Sequence, residues 1–203
     1  MPAGEPFIIY LHGFNSSPQS VKATQMRACM RELGLEDRLL CPALPVAGDE
    51  AMRMVETEMA RLGNRRYCFI GSSLGGFYAT WLAEKHDARA VLLNPSITPY
   101  EGLKAYLGQQ QNIYTHDTYV LTEAHLQQWR LMWLPRITPS RYFLLVETGD
   151  AQLDYRIAVE RYAGARQLVI EGGDHGLQSF PSHLPAILEF AGMPAPSDTR
   201  DRA

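Results

Sequence analysis

The sequence predicts an α/β fold in three layers, with a minimal, mostly parallel sheet of about six strands between two layers of helices. Short apolar runs of strand length alternate along the chain with longer segments of helical period, which is the pattern of a parallel sheet covered on both faces. The apolar runs are continuous, as in strands that are buried on both sides. With 203 residues, 46% of them hydrophobic, the chain is long enough to bury a substantial core.

Six strands and five main helices are predicted. The strands are Phe7–Leu11, Leu39–Ala43, Tyr67–Gly71, Ala90–Asn94, Tyr142–Glu147 and Gln167–Glu171. The helices are Ser20–Leu33, Asp49–Leu62, Gly75–Lys85, Asp154–Tyr162 and Leu184–Phe190. The second helix shows the clearest amphipathic spacing, because Met52, Val55 and Met59 recur at intervals of three and four residues.

One segment, residues 95–139, interrupts the alternation, and no strand is predicted within it. Long insertions in compact α/β domains are usually functional or disordered. Here the stretch Thr122–Leu134 indicates a helix, with Thr122 as its N-cap and with Trp129 and Trp133 on one face. We interpret residues 95–139 as a small helical lid over the carboxyl edge of the sheet, and call them the insertion. The expected organisation is a single domain over residues 1–193, followed by a loose polar tail over residues 194–203.

Composition excludes several classes of partner. The formal net charge of −3 gives no basic field for nucleic acid, and no basic cluster suits an anionic membrane surface. No apolar run approaches the roughly 20 residues that span a bilayer. The three cysteines, Cys29, Cys41 and Cys68, follow no disulfide, redox or metal spacing. They are expected to be reduced, which favours a cytoplasmic location.

The strongest chemical signal is the run Gly71–Gly76, which contains G-x-S-x-G centred on Ser73. It follows a buried strand and opens a helix, the context in which this motif exposes a nucleophilic serine on a tight turn. Gly71 and Gly75 would relieve the crowding of such a turn. The alternative is a glycine-rich strand–helix connection with an incidental serine. Ser72 is not favoured as the nucleophile, because it does not occupy the serine position of G-x-S-x-G between Gly71 and Gly75.

A second signal, Leu11–Asn15, ends the first strand. Acyl transfer through a serine requires two N–H donors for the oxyanion, one from the residue after the nucleophile and one from an earlier loop. The backbones of Leu74 and Phe14 suit these two positions. Taken alone, the same residues could simply turn the chain after the strand.

The third signal is His175, which follows the last predicted strand at the same sheet edge. A catalytic histidine must reach the serine, and an acid must orient it. Asp150, directly after the strand Tyr142–Glu147, is favoured as that acid; Asp154 remains the alternative but suits a helix N-cap. The order Ser73, Asp150, His175 is the order expected of such a site. Five other histidines lack this placement and suit surface or local hydrogen-bonding roles: His12, His86, His116, His125 and His183.

These motifs together resemble the α/β-hydrolase superfamily and, more narrowly, the small bacterial esterases of the YqiA type. The resemblance is carried by Tyr10–Pro18, Gly71–Gly76, Leu93–Pro95, Thr148–Asp150 with Leu153–Tyr155, and Gly172–His175. It implies a short member of the fold that hydrolyses simple acyl esters or acyl-CoA thioesters without a cofactor.

The function predicted from the sequence is therefore that of a serine esterase that acts on a small-molecule ester. An acyl-CoA thioesterase would use the same residues, and a non-catalytic binding protein on a hydrolase scaffold is the alternative outside enzymes. No cofactor or metal is expected, since no metal-ligand spacing is present. Aromatic residues of the insertion could wall an acyl pocket or could simply pack: Tyr106, Tyr114, Trp129 and Trp133.

Overall fold

The structure is a computed structural model that describes residues 6–63 and 65–194. The predicted tail lies almost wholly outside these ranges. Eight strands are described, namely β1 (Phe7–Leu11), β2 (Leu39–Leu40), β3 (Tyr67–Ser72), β4 (Arg89–Leu93), β5 (Gly108–Gln111), β6 (Thr118–Leu121), β7 (Tyr142–Glu147) and β8 (Arg166–Ile170). Six of them form one parallel sheet in the order β2-β1-β3-β4-β7-β8.

Seven α-helices lie within the described residues and connect or follow these strands. They are α1 (Val21–Glu32), α2 (Gly48–Leu62), α3 (Leu74–Lys85), α4 (Pro99–Gly102), α5 (Glu123–Met132), α6 (Tyr155–Arg161) and α7 (Phe180–Ala191). Within the described ranges, no helix combines the length and the apolar character needed to cross a bilayer.

The sheet buries side chains on both faces, and a separate core lies on each side. Along β1, Ile8 and Tyr10 contribute to the core under α1 and α7, whereas Ile9 and Leu11 contribute to the core under α2, α3 and α6. This division follows from the two-residue period of a strand. It confirms the predicted three-layer α/β-hydrolase fold and explains why the strand sequences are continuously apolar.

The sheet reverses its winding direction between two central strands. From β1 the chain moves outward to β2, and it then returns to the other side of β1 to place β3, β4, β7 and β8 in turn. In parallel sheets a crevice opens at the carboxyl ends of the strands where this reversal occurs. The loops after β1 and β3 meet at that crevice, which is where the sequence places Phe14 and Ser73.

Two predicted elements differ from the observed ones by three or more residues at one end. The predicted strand Leu39–Ala43 pairs with β1 only at Leu39 and Leu40, which form the edge of the sheet. The predicted last helix, Leu184–Phe190, begins four residues earlier at Phe180, so that His183 lies inside it. The helix tolerates Pro181 in its first turn, where N–H groups lack intrahelical acceptors.

The prediction that the insertion contains no strand is wrong. Strands β5 and β6 form an antiparallel two-stranded ribbon, with Gly108 opposite Leu121 and Gln111 opposite Thr118. The three consecutive glutamines of β5 have little strand propensity, and only Leu121 of the ribbon is buried. The ribbon is therefore held by backbone pairing and by contacts with the rest of the protein, which an apolar pattern does not reveal.

Helix α5 is the predicted insertion helix, and it attaches the insertion to the domain. Thr122 caps it together with His125 in a capping box. Trp129 is fully buried, and its Nε1 donates a hydrogen bond to the Tyr78 hydroxyl at 2.6 Å. A Cβ on Gly48 would lie 2.9 Å from the Trp129 ring, so α2 and α5 approach closely only because residue 48 is glycine.

We expect Leu92→Ala, in the middle of the sheet, to lower the free energy of unfolding by about 2–5 kcal/mol, because it leaves a cavity in a fully packed core. Leu131→Ala is the matched control, since Leu131 is 77% exposed and should change the free energy by no more than about 0.5 kcal/mol. Urea unfolding of both variants measures the difference. Equal effects would contradict the assignment of the central strand to the core.

Candidate active site

Ser73 occupies a strained turn between β3 and α3. Its φ of 55° and ψ of −120° lie in a region that residues with a side chain rarely adopt. The turn requires glycine on both sides. A Cβ on Gly71 would lie 2.1 Å from the carbonyl oxygen of Gly75, and one on Gly75 would lie 1.9 Å from that of Leu11. The chain can therefore hold Ser73 in this conformation only with the glycines that it has.

A hydrogen-bonded chain joins Ser73, His175 and Asp150. His175 Nε2 lies 3.1 Å from Ser73 Oγ, and His175 Nδ1 lies 2.7 Å from Asp150 Oδ2. The Asp150 side chain is 2% exposed and that of His175 is 21% exposed. In this order, a carboxylate can hold the imidazole in the tautomer that accepts a proton from the hydroxyl.

The two candidate acids lie in different environments. Asp150 Oδ1 accepts hydrogen bonds from the backbone N–H groups of Gln152 and Leu153, which leaves Oδ2 for His175. Asp154 caps α6 instead, accepting from the N–H of Arg156 and pairing with its guanidinium at 2.8 Å. The structure brings only Asp150 to His175.

A buried glutamate, which the sequence analysis did not identify, holds the 171–179 loop that carries His175. Glu147 ends β7 and is 1% exposed. Its carboxylate accepts from the N–H of Asp174 at 2.8 Å and from the N–H and hydroxyl of Ser179. Burial raises the pKa of Glu147, but hydrogen bonds from Ser179 and from the backbone of Asp174, Ser179 and Gln178 outweigh it and leave the pKa below its ordinary value.

Asn94, at the end of β4, links the same loop to the sheet. Its Nδ2 donates to the carbonyl oxygens of Asp174 and His175 at 3.0 and 3.3 Å, and its Oδ1 accepts from the N–H of Glu147. A polar residue at the carboxyl end of a continuously apolar strand was the available sequence signal for both Asn94 and Glu147. The signal was missed because each was assigned to its strand.

The 12–16 loop after β1 packs against the nucleophile turn. A Cβ on Gly13 would lie 3.2 Å from that of Ser73, so only glycine lets the loop approach this closely without a shift. Leu74 is the first residue of α3, and its N–H therefore has no intrahelical acceptor. Phe14 N–H has no protein acceptor within the described part of the chain. Neither of the two N–H groups predicted to bind an oxyanion therefore has an acceptor among the described residues.

The insertion fixes the 12–16 loop from outside. Asn15, in the left-handed region at φ 51°, donates from Nδ2 to Gln110 of β5 and accepts at Oδ1 from the Tyr119 hydroxyl of β6. Asn112 donates to the carbonyl oxygen of Ser16 at 2.7 Å. These contacts couple the ribbon to the loop that holds Phe14.

His12 has a structural place in the same loop. It is buried, with Nε2 accepting from the N–H of Leu44 at 3.0 Å and Nδ1 lying 3.0 Å from the carbonyl oxygen of Gly13. Burial lowers its pKa, although the hydrogen bond to Gly13 opposes this. The neutral ring therefore acts as a bridge between two loops, in accord with the local hydrogen-bonding role expected from the sequence.

A cavity of about 740 Å³ opens at Ser73 and His175. The insertion contributes Tyr106 and Tyr114 to its wall. Neither tryptophan of the predicted pocket lines it. Trp129 borders a smaller cavity of about 230 Å³ on the other side of the 12–16 loop, and Trp133 packs under the Arg161 guanidinium. The reason is that α5 directs Trp129 into the domain core rather than toward the sheet edge.

Within residues 6–63 and 65–194, no three His, Cys, Asp or Glu side chains are arranged to hold a metal ion. The residues assembled at the crevice are a hydroxyl, an imidazole, a carboxylate and two backbone donors. Such a set is suited to nucleophilic attack on a carbonyl group and to proton transfer at the leaving atom.

Solved structures share this fold at low sequence identity. A candidate hydrolase from Agrobacterium vitis S4 is 18% identical with a TM-score of 0.74, covering 94% of this chain and 90% of that one. The mouse alpha/beta hydrolase domain-containing protein 10 is 15% identical with a TM-score of 0.67, covering 93% and 90%. A monoacylglycerol lipase from Paleococcus ferrophilus is 16% identical with a TM-score of 0.61, covering 93% and 95%.

A family model also matches the chain, from residue 7 to residue 192. It is the model of the uncharacterised protein family UPF0227. The match spans every element of the parallel sheet, and with the shared fold it confirms the resemblance seen in the sequence. The chain therefore belongs to the UPF0227 family, and it shares the fold of these solved α/β hydrolases.

Proposed function

We propose that the protein is a serine esterase that hydrolyses carboxylic esters through an acyl-enzyme intermediate. The observation that carries this proposal is the continuous hydrogen-bonded chain from Ser73 Oγ through His175 to Asp150, at 3.1 and 2.7 Å. The hydroxyl faces a cavity large enough for a small ester. Relatives of the same fold include a protein named a monoacylglycerol lipase, which supports ester hydrolysis as the reaction class.

In the acylation step, Ser73 Oγ attacks the ester carbonyl carbon as its proton passes to His175 Nε2. Asp150 holds the Nδ1–H tautomer and stabilises the imidazolium that forms. The carbonyl oxygen becomes an oxyanion, which the N–H groups of Phe14 and Leu74 stabilise. His175 then gives its proton to the leaving alcohol, and the acyl group remains on Ser73.

In the deacylation step, a water molecule takes the place of the alcohol. His175 accepts a proton from this water, which attacks the acyl carbonyl carbon and regenerates an oxyanion at the same two N–H groups. Collapse of the intermediate breaks the bond to Ser73 Oγ, which recovers its proton from His175. The products are a carboxylic acid and an alcohol, and the enzyme returns to its starting state.

Hydrolysis of p-nitrophenyl esters of graded acyl length tests the proposal. We expect turnover by the wild type and a loss of about 10⁴-fold or more in Ser73→Ala, since no other group there can form the acyl-enzyme. Ser72→Ala is the matched control, because Ser72 borders the same cavity and neighbours the nucleophile. Circular dichroism establishes that each variant is folded.

The wild type should also be assayed with acyl-CoA thioesters, which the same residues could cleave. Turnover of thioesters alone would make the protein a thioesterase. Turnover of neither class would contradict the enzymatic proposal and favour a binding protein on this scaffold.

Replacement of the two candidate acids separates their roles. Asp150→Asn should lower kcat by about 10³- to 10⁴-fold, because the amide favours the wrong imidazole tautomer. Asp154→Asn removes a carboxylate of the same type four residues away, where it binds Arg156 of α6, and should leave kcat within a few-fold of wild type. A larger loss in Asp154→Asn than in Asp150→Asn would contradict the assignment.

Glu147→Gln tests the positioning of the 171–179 loop. An amide cannot accept all the hydrogen bonds that Glu147 accepts, so we expect His175 to shift and kcat to fall by about 10- to 100-fold, with a smaller change in KM. Glu171→Gln is the control, because Glu171 is exposed in the same loop. An unchanged kcat in Glu147→Gln would show that the loop does not need the carboxylate.

Glu147→Gln should also change how the free energy of unfolding depends on pH. Because the folded-state pKa of Glu147 is lowered, its carboxylate stabilises the fold above the ordinary glutamate pKa of about 4.3, and this contribution is lost as the pH falls through the lower folded value. The stability difference between wild type and Glu147→Gln should therefore be largest near pH 7 and shrink toward pH 3. Urea unfolding across this range measures it, and a difference that does not vary with pH would contradict the pKa direction.

A further inference from the structure

One lysine lies in the wall of the cavity that opens at Ser73. Lys22 is in the first turn of α1, and its Nζ donates to the carbonyl oxygen of Gly176 at 2.6 Å. Gly176 directly follows His175. The Lys22 ammonium is therefore held against the loop that carries His175.

This ammonium is the one lysine or arginine charge in the cavity wall, and no Asp or Glu accompanies it there among the described residues. The nearby carboxylates of Glu147, Asp150 and Asp174 each accept hydrogen bonds from backbone N–H groups of the loops at this sheet edge. None of them forms an ion pair with Lys22 within the described ranges. The cavity thus presents a positive charge with no anionic partner in its own wall.

The chemistry of the ammonium leaves it able to bind a ligand. It has three N–H donors, and the bond to Gly176 uses one of them. Burial lowers the pKa of Lys22 below its ordinary value, and the charges of Asp174, Glu147 and Asp150, which favour the protonated form, offset this only in part. An anion in the cavity would favour that form further. Neutral hydrogen-bonding side chains line the same cavity, among them those of Ser20, Gln25 and Gln178.

We propose that the substrate is an ester that also carries a carboxylate, and that Lys22 binds this carboxylate while Ser73 attacks the ester carbonyl. The inference rests on the proposed esterase function and specifies its substrate class. A carboxylate would pair with the otherwise unpaired charge of Lys22 and accept charge-assisted hydrogen bonds from its remaining N–H groups. A neutral ester would leave the ammonium without such a partner.

The test compares kcat/KM for matched ester pairs within each variant. For a carboxylate on the acyl side, the monoanionic p-nitrophenyl esters of adipic, pimelic and suberic acid are paired with neutral p-nitrophenyl alkanoates of equal length. For a carboxylate on the alcohol side, 4-acetoxybenzoate is paired with 4-acetoxybenzamide. Because both members of a pair use the same His175, their ratio cancels any effect of Lys22 on the 171–179 loop.

We expect the wild-type kcat/KM to be about tenfold higher for the anionic member of at least one pair, because a charge-assisted hydrogen bond contributes a free energy of about that size. The preference should vanish in Lys22→Gln, reverse in Lys22→Glu and survive in Lys22→Arg. Lys85→Gln is the control for net charge, because Lys85 lies at the far end of α3, about 18 Å of helix from Ser73. Added salt should weaken the wild-type preference.

The arm that shows the preference identifies the side of the ester on which the carboxylate lies. Equal ratios in wild type, Lys22→Gln and Lys22→Glu, with neutral esters still hydrolysed, would overturn the role of Lys22 and leave the esterase proposal intact. No turnover of any ester by the wild type would instead overturn the proposed function, and this inference with it.

Discussion

The crowding of backbone around Ser73 is the constraint on which the rest of the crevice depends. The serine sits at a positive φ that a side chain disfavours, and Gly71 and Gly75 approach neighbouring carbonyl oxygens more closely than any Cβ would allow. Because β1 and β3 are adjacent at the point where the sheet reverses its winding, the 12–16 loop falls beside this turn. Sheet topology and three glycines, Gly13, Gly71 and Gly75, thus bring the turn that carries the hydroxyl against the loop that carries Phe14.

Two polar networks then hold the loops that the sheet alone would leave mobile. The buried carboxylate of Glu147 accepts hydrogen bonds from N–H groups of the 171–179 loop, and Asn94 donates to two carbonyl oxygens of the same loop. On the other side, Asn15 and Asn112 connect the 12–16 loop with the insertion ribbon. Buried polar groups are costly unless satisfied, so each network favours a single loop arrangement. Precise placement of an imidazole requires such an arrangement.

The features predicted correctly from the sequence are those that depend on neighbouring residues in the chain. Continuous apolar runs identified the central strands, and the position of Ser73 between glycines after a strand identified the turn that the structure contains. The ribbon of β5 and β6 was missed because its glutamines carry no apolar pattern, and because the 12–16 loop with which it forms hydrogen bonds is distant in sequence. Trp129 was expected near the cavity because a helical face does not reveal what it packs against; its hydrogen bond to Tyr78 depends on tertiary contact.

The central claim is that Ser73 forms a covalent acyl-enzyme, and intact mass spectrometry tests it most directly. Rapid quenching of the protein with a p-nitrophenyl ester, or incubation with a fluorophosphonate, should add one group, and peptide mapping should locate it on Ser73. The addition should be absent in Ser73→Ala and much slower in Asp150→Asn. A protein that remains unmodified, or that carries the group on another residue, would contradict the account.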